Sequence, residues 1–268
     1  VSNSYRLRRM AYNIAVVGAT GMVGRNIIQT LEDRDFPVAE LYCLASEQSK
    51  WKKISFKGQE LSVQSLEDFD FSLVDLVLSS PGSAISQKFT PKAAESGAVV
   101  IDNTSHFRFF DDIPLIVPEV NIEEIELYRK KNIISNPNCN VVPISVALKP
   151  LNDLNKIKKL VISTYQSTSG AGKKAMDELY DQTKAKFEND VKEPNVFPHP
   201  IAFNVIPQVG EFDENGDADE EVKTRKELQK ILKTDAEITS TCVRIPTFVA
   251  HSASVYIEFE DDITAEDA

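Results

Sequence analysis

Asn13-Ile-Ala-Val-Val-Gly18-Ala-Thr-Gly21-Met-Val-Gly24 is the stretch that decides the fold. A short β-branched run ends in glycine, which reads as a buried strand. Residues 22–33 then take helical spacing, with Val23, Ile27, Ile28 and Leu31 on one face. Strand, glycine loop and helix in that order build an anion site. The glycines permit the tight turn and let backbone N–H groups approach a pyrophosphate at the helix N-terminus. Gly18, Thr20, Gly21, Met22, Val23 and Gly24 are therefore the expected cofactor contacts. The spacing is G-x-x-G-x-x-G, a variant of the usual dinucleotide fingerprint. The competing reading is a glycine-rich turn that holds no ligand.

Outward from this stretch, strands are predicted at 41–45, 74–79 and 98–102, with a helix over 84–96 and a small hairpin over 55–63. Strands alternating with helices imply a parallel sheet with crossover helices. Beyond residue 139 the pattern changes. The spacing predicts helices over 141–148, 173–187 and 221–232, and strands over 159–166, 239–245 and 252–259. Residues 190–220 carry Pro194, Pro198, Pro200 and Pro207 and an acidic run, and read as loop. The fold class is α/β: a Rossmann-like dinucleotide domain over 1–138 and an α+β domain with a mixed sheet over 139–268.

The second strand ends Leu44-Ala45-Ser46 with no carboxylate on it. An acidic residue there would bind the ribose hydroxyls of NAD. Ser46, Ser49 and the lysines 50, 52 and 53 suit a 2′-phosphate instead, so NADP is expected, with NAD possible. The alternative is that these lysines form a solvated turn.

Composition excludes several classes. A net charge of −11 argues against nucleic acid or an anionic membrane as partner. No apolar run approaches the roughly 18 residues of a membrane span. Three cysteines, Cys43, Cys139 and Cys242, give no disulfide framework and point to a reducing, cytoplasmic setting. No His/Cys/Asp cluster has metal-ligand spacing, so no metal is expected. Residues 1–9 precede Met10 and the first strand, and read as a disordered extension.

Cys43 and Cys242 lie inside apolar strands and read as inert core. Cys139 does not: in Asn136-Pro-Asn138-Cys139-Asn140 it sits among polar residues where a helix would begin, and a helix N-terminus favours a thiolate. With only three histidines in the chain, His251 is a candidate base. Arg244, seven residues earlier, is suited to a bidentate carboxylate contact, or else to a surface salt bridge. Gly170 and Gly172 would let the backbone approach a flat ring.

These strings resemble aspartate-semialdehyde dehydrogenase from Asn13 to about Glu260. The resemblance rests on Gly18–Gly24, Asp102-Asn-Thr-Ser-His-Phe-Arg108, Val117-Pro-Glu-Val-Asn121, Ser135–Cys139, Thr164–Gly172, Glu220-Glu-Val-Lys223 and Arg244–His251. It implies NADPH-dependent reduction of L-aspartyl 4-phosphate through a thioacyl intermediate, with inorganic phosphate released, in a homodimer or homotetramer. By the same resemblance, Cys139 is the nucleophile, His251 the acid/base, and Gln166 orients the intermediate. Arg244 would hold the α-carboxylate, Glu220 the α-amino group, and Arg108 and Lys223 the phosphate, with Asn138 in the substrate site. Ser79, Ser80 and Gly82, with Ser169, Gly170 and Gly172, would lie near the nicotinamide. Gln48 stands where the family commonly has an arginine, which predicts weak discrimination for NADP. Family members continue for several tens of residues past position 268, so a C-terminal segment is expected to be missing. Two readings compete: reduction of another acyl phosphate such as the N-acetyl-glutamyl compound, and a catalytically inactive binding protein.

Overall fold

The computed structural model describes residues 11–268, and the expectation for residues 1–9 lies outside them. The chain forms two compact units. One runs through Ile116 and takes in Glu123–Asn136; the other comprises Val117–Ile122 and Pro137–Ala268. Where the sequence places one boundary after residue 138, the chain thus passes between units three times.

The first unit is built on β1 (Tyr12–Val17), α1 (Met22–Asp33), β2 (Val38–Ala45), the hairpin β3 (Lys53–Phe56) and β4 (Gln59–Ser62), β5 (Gln64–Ser65), β6 (Leu76–Ser79), α2 (Ser83–Glu95), β7 (Val99–Asp102) and β8 (Ile133–Ser135). Six strands form one sheet in the order β5-β2-β1-β6-β7-β8, and every pairing in it is parallel. The strand order reverses between β1 and β6, which is where open α/β sheets bind ligands. Alternation along β1 feeds two cores. Ala15 and Val17 pack with Phe89 and Ala93 of α2, while Ile14 and Val16 pack with Ile28 and Leu31 of α1. Both faces of the sheet are covered, as parallel strands require.

The helix over 22–33 forms as predicted, but its buried stripe is Gly24, Ile28 and Leu31. Val23 is exposed. The helix is rotated so that Gly24 lies on the loop backbone, where a Cβ would run into the Gly18 carbonyl and stand 2.8 Å from Ala19 Cα. Gly18 itself has φ +82°, and a Cβ there would come 2.7 Å from the Ser80 carbonyl oxygen. The loops after β1 and β6 therefore touch backbone to backbone at the switch point. The strand β8 escaped the sequence reading because three residues give no usable periodicity.

The second unit contains α3 (Pro118–Asn121), α4 (Val141–Leu154), β9 (Ile157–Gln166), α5 (Lys173–Phe187), α6 (Asp219–Leu232), β10 (Glu237–Arg244) and β11 (His251–Phe259). Its sheet is mixed, as expected: β9 is central, parallel to β10 and antiparallel to β11. Leu160, Ile162, Thr164 and Gln166 are buried on one face of β9, while Val161 and Tyr165 on the other are exposed. Among the described residues no helix is long and apolar enough to cross a membrane.

Gly24→Ala should lower unfolding stability by about 1–3 kcal/mol, because the added methyl meets backbone that cannot move aside. A denaturant titration with an unchanged midpoint would contradict this packing.

Candidate active site

In the first unit a cleft of about 580 Å³ opens at the switch point, lined by Gly18, Thr20, Gly21, Ser46, Gln48 and Ser80 among others. The N-terminus of α1, twelve residues long and with no acidic residue in its first turn, faces this loop. Bare N–H groups, small residues and glycine backbone fit a pyrophosphate. Met22, Val23 and Gly24 form the first turn of that helix. Gly82, at φ +96°, caps α2. Ser79 is buried at the end of β6, and its carbonyl accepts from the Asn103 N–H. Ser49 lies outside the cleft lining and accepts instead from Lys52 Nζ at 3.3 Å. Lys50 pairs with Glu47 at 3.0 Å, and Lys53 donates to Ser62 at 2.7 Å. The lysines expected to greet a 2′-phosphate are thus turned to local partners, and Ser46, Glu47 and Gln48 are the polar groups that line the cleft there.

Arg108 belongs to the same unit and is buried rather than superficial. Its Nε donates to the Asn136 carbonyl at 3.0 Å and its Nη2 to the Asn103 carbonyl at 3.2 Å. Asp102 organises this loop. It is wholly buried and accepts from Ser86, from Thr90 Oγ1 at 3.0 Å, and from the Thr104 N–H and hydroxyl at 2.7 and 2.6 Å.

In the second unit the nucleophile candidate sits in a turn two residues before α4. Cys139 is exposed while Asn138 and Asn140 beside it are buried. The turn is tied down from α6. That helix buries Glu220, Thr224, Glu227, Leu228 and Ile231, a single stripe of the 3.6-residue period that carries two carboxylates. Glu220 accepts from Asn138 Nδ2 at 2.8 Å and Asn140 Nδ2 at 3.2 Å. Glu227 accepts the Asn138 backbone N–H at 2.7 Å. The Asn140 amide also lies 3.9 Å from Cys139 Sγ. Glu227 was missed at the sequence level, although its seven-residue spacing from Glu220 marks it as sharing that face.

Three further candidates meet on one rung of the sheet. Gln166 ends β9, and its register partners are Arg244 on β10 and His251 on β11. Directly paired residues project to the same face. Gln166 is buried and donates from Nε2 to Thr164 Oγ1 at 3.1 Å. Arg244 is buried, which excludes the surface salt bridge, and its Nη1 donates to the Ser167 carbonyl at 2.6 Å. Gly170 closes the group: a Cβ there would lie 3.2 Å from Arg244 Nη1 and 3.5 Å from His251 Nε2. Asn140 and His251 line a common cavity of about 300 Å³.

Burial pulls the Arg244 guanidinium below the ordinary arginine pKa, against the opposing pull of Glu220 and then Cys139. Burial also holds His251 below the ordinary histidine value. The Ala250 carbonyl opposes this, Arg244 adds to it, and Glu220 opposes it. His251 Nδ1 accepts the Ser167 N–H at 2.9 Å and stands 3.0 Å from the Ala250 carbonyl. Both contacts are made by Nδ1, so Nε2 is the nitrogen left to face Gly170.

The sequence matches the family model described as semialdehyde dehydrogenase, NAD binding domain, over residues 13–128, and that described as semialdehyde dehydrogenase, dimerisation domain, over 148–268. Aspartate-semialdehyde dehydrogenase of Rickettsia bellii is 50% identical over 256 residues, covering 96% of this chain and 76% of that protein. The chain belongs to the aspartate-semialdehyde dehydrogenase family. Aspartate semialdehyde dehydrogenase II from Vibrio cholerae superposes with a TM-score of 0.94 at 47% identity, over 96% of this chain and 77% of that one. A second crystal structure of the Vibrio cholerae enzyme, complexed with ASA, gives the same TM-score and identity over 96% and 76%.

As a semialdehyde dehydrogenase family member, the chain gathers Cys139, Gln166, Arg244, His251, Asn138 and Glu220 in its second unit, with Lys223 one helical turn beyond Glu220 on α6. Ser169, Gly170 and Gly172 also belong to this unit. Ser169 bonds the Ser167 hydroxyl at 2.9 Å, and Gly172, at φ +88°, caps α5. Arg108 belongs to the other unit, where it donates to the carbonyl of Asn136.

Iodoacetamide should label Cys139 well before the other two thiols. Cys43 is buried and pushed up to about 11 by desolvation, and burial raises Cys242 as well. Mass spectrometry showing equal labelling of all three in the folded protein would contradict this. His251 should titrate by NMR with a midpoint below about 6.5. Because its folded pKa is the lower one, its contribution to stability is present above the ordinary histidine pKa and is lost as pH falls below it. In His251→Asn that part of the acid-side decline should disappear from melting curves taken between pH 7 and 5.

Proposed function

We propose that this chain carries out the reaction its family is named for: reductive dephosphorylation of L-aspartyl 4-phosphate to L-aspartate 4-semialdehyde, in the cytoplasm, as a homodimer or homotetramer. The observation that carries the proposal is the rung Arg244–Gln166–His251, closed by Gly170 and adjoined by the turn that presents an exposed Cys139. A cation, an amide and an imidazole side by side supply what an acyl transfer on a short acidic substrate needs.

Cys139 as thiolate attacks the acyl carbon, the C–O bond to phosphate breaks, and inorganic phosphate leaves. Arg244 holds the α-carboxylate bidentately, and its burial makes that contact strong. Glu220, close enough to oppose the shift at Arg244, holds the α-amino group. Gln166 orients the thioester carbonyl, and Arg108 and Lys223 hold the phosphate. His251, kept neutral near pH 7, moves the proton at Nε2 as the thioester forms and as the thiohemiacetal collapses. Gly18, Thr20 and Gly21 would hold the pyrophosphate of NADPH, which would supply the hydride that takes the thioester to the thiohemiacetal. Glu220 favours aspartyl phosphate over an N-acetylated substrate, whose amide has no charge to pair with a carboxylate. NADP is the expected cofactor, but Glu47 and Gln48 line the cleft and the nearby lysines are paired locally, so its advantage over NAD is modest.

The assay runs in reverse, as phosphate-dependent oxidation of aspartate semialdehyde with NADP and with NAD. Cys139→Ala should abolish turnover and leave the melting temperature unchanged. His251→Asn should lower kcat by about 10²–10⁴-fold. Turnover in Cys139→Ala above the uncatalysed rate would overturn the covalent route.

A further inference from the structure

Segment 195–206 crosses the site with almost no regular structure of its own, yet it is held at both ends. At one end, α5 buries two polar side chains, Glu178 and Gln182, on its inward stripe. Glu178 accepts the backbone N–H groups of Asn195 at 2.7 Å, Val196 at 2.6 Å and Phe197 at 3.4 Å. Gln182 accepts those of Ile201 at 2.8 Å and Ala202 at 3.1 Å. At the other end, Ile206 exchanges two backbone hydrogen bonds with Arg244, at 2.9 and 2.8 Å. Between the anchors, the Phe197 ring packs on the apolar cluster of Leu179, Ile201, Ala202 and Ile206, with its centroid 5.8 Å from the Arg244 guanidinium carbon. Phe197 and Arg244 line one cavity of about 410 Å³.

We infer that Phe197 is a positioning residue for Arg244, held in place by Glu178 through the backbone of residues 195–197. The inference deepens the proposed function, since it rests on Arg244 as the carboxylate anchor. An arginine side chain has many rotamers, and a carboxylate gains two parallel hydrogen bonds only when the guanidinium plane is set beforehand. One Nη1 bond to Ser167 leaves rotation about that bond open. A ring against the guanidinium removes that freedom, and a cation stacks more strongly on a ring when it is withdrawn from water, as Arg244 is. This accounts for two buried polar residues on a helix stripe that would otherwise be apolar. Their carbonyl and carboxylate oxygens satisfy loop N–H groups that no strand pairs with.

The test is steady-state kinetics in the phosphate-dependent direction. Phe197→Leu should raise KM for aspartate semialdehyde by about 3–20-fold, with kcat and KM for phosphate within about twofold. Phe197→Tyr should restore wild-type values. Glu178→Gln should raise the same KM, and the Glu178→Gln/Phe197→Leu double variant should be no worse than the poorer single one, because both act through one ring. Leu and Tyr variants that behave alike, or effects that multiply in the double variant, would overturn the inference. Arg244→Lys separates the two levels. If it leaves KM unchanged, the anchor role itself falls. If it raises KM while Phe197→Leu does not, only the positioning role falls. A readout free of turnover is the ¹H–¹⁵N spectrum of the Arg244 guanidinium, which should lose its ring-current shift and average by rotation in Phe197→Leu. An unchanged spectrum would also overturn the inference.

Discussion

The register of β9 against its two neighbours is the constraint on which the catalytic unit depends. Gln166 is paired at once with Arg244 in a parallel ladder and with His251 in an antiparallel one. A slip of one residue in either ladder would turn that partner to the opposite face of the sheet. In the parallel ladder the alternation along β10 opposes this, since a slip would turn buried Ile238, Ser240 and Cys242 to the exposed face. Burial therefore secures the Gln166–Arg244 register, while Ser167 ties the other strand in, donating its N–H to His251 and accepting from Arg244 at its carbonyl.

Charge in this site is balanced by position. Glu220 and Glu227 are buried carboxylates on one helix, an arrangement that costs free energy unless each is hydrogen-bonded. The Asn138–Asn140 turn supplies those donors, and in return is fixed in shape beside α4. Arg244 supplies the compensating charge, and its own burial makes it reactive toward an anion. Burial, with a smaller push from Arg244, holds the His251 ring below the ordinary histidine pKa, while Ser167 donates to its Nδ1.

The two units solve binding in different ways. The nucleotide cleft is made of backbone: Gly18 and Gly24 let two loops and a helix end approach more closely than any side chain would permit. That architecture is legible from glycine placement alone. The catalytic unit is made of side chains brought together from the turn before α4, the end of β9, α6, and the ends of β10 and β11. Its buried charges, Arg244 and Glu220, are local features of that unit and do not follow from the net charge of the protein, which is negative.

The sequence by itself determined the parallel nucleotide sheet and the strand–loop–helix anion site, and it singled out Cys139 as the thiol outside an apolar strand. These depend on local rules: the 2.0- and 3.6-residue periods, glycine at positive φ, and polar residues where apolar ones are expected. Local rules also placed α1 and α5 at their observed limits. Tertiary structure decided what local rules cannot reach. It set which face of α1 turns inward, because Gly24 packs on a loop distant from its own period. It made 117–122 part of the second unit, a matter of contacts and not of composition. It turned Lys50, Lys52 and Lys53 toward local partners, and it brought Glu227 to the Asn138 N–H, Glu178 to the N–H groups of 195–197 and Phe197 to Arg244. Their roles come from pairing across tens of residues, and ladder register and helix rotation are set by the burial of the whole unit, which no short window of sequence contains.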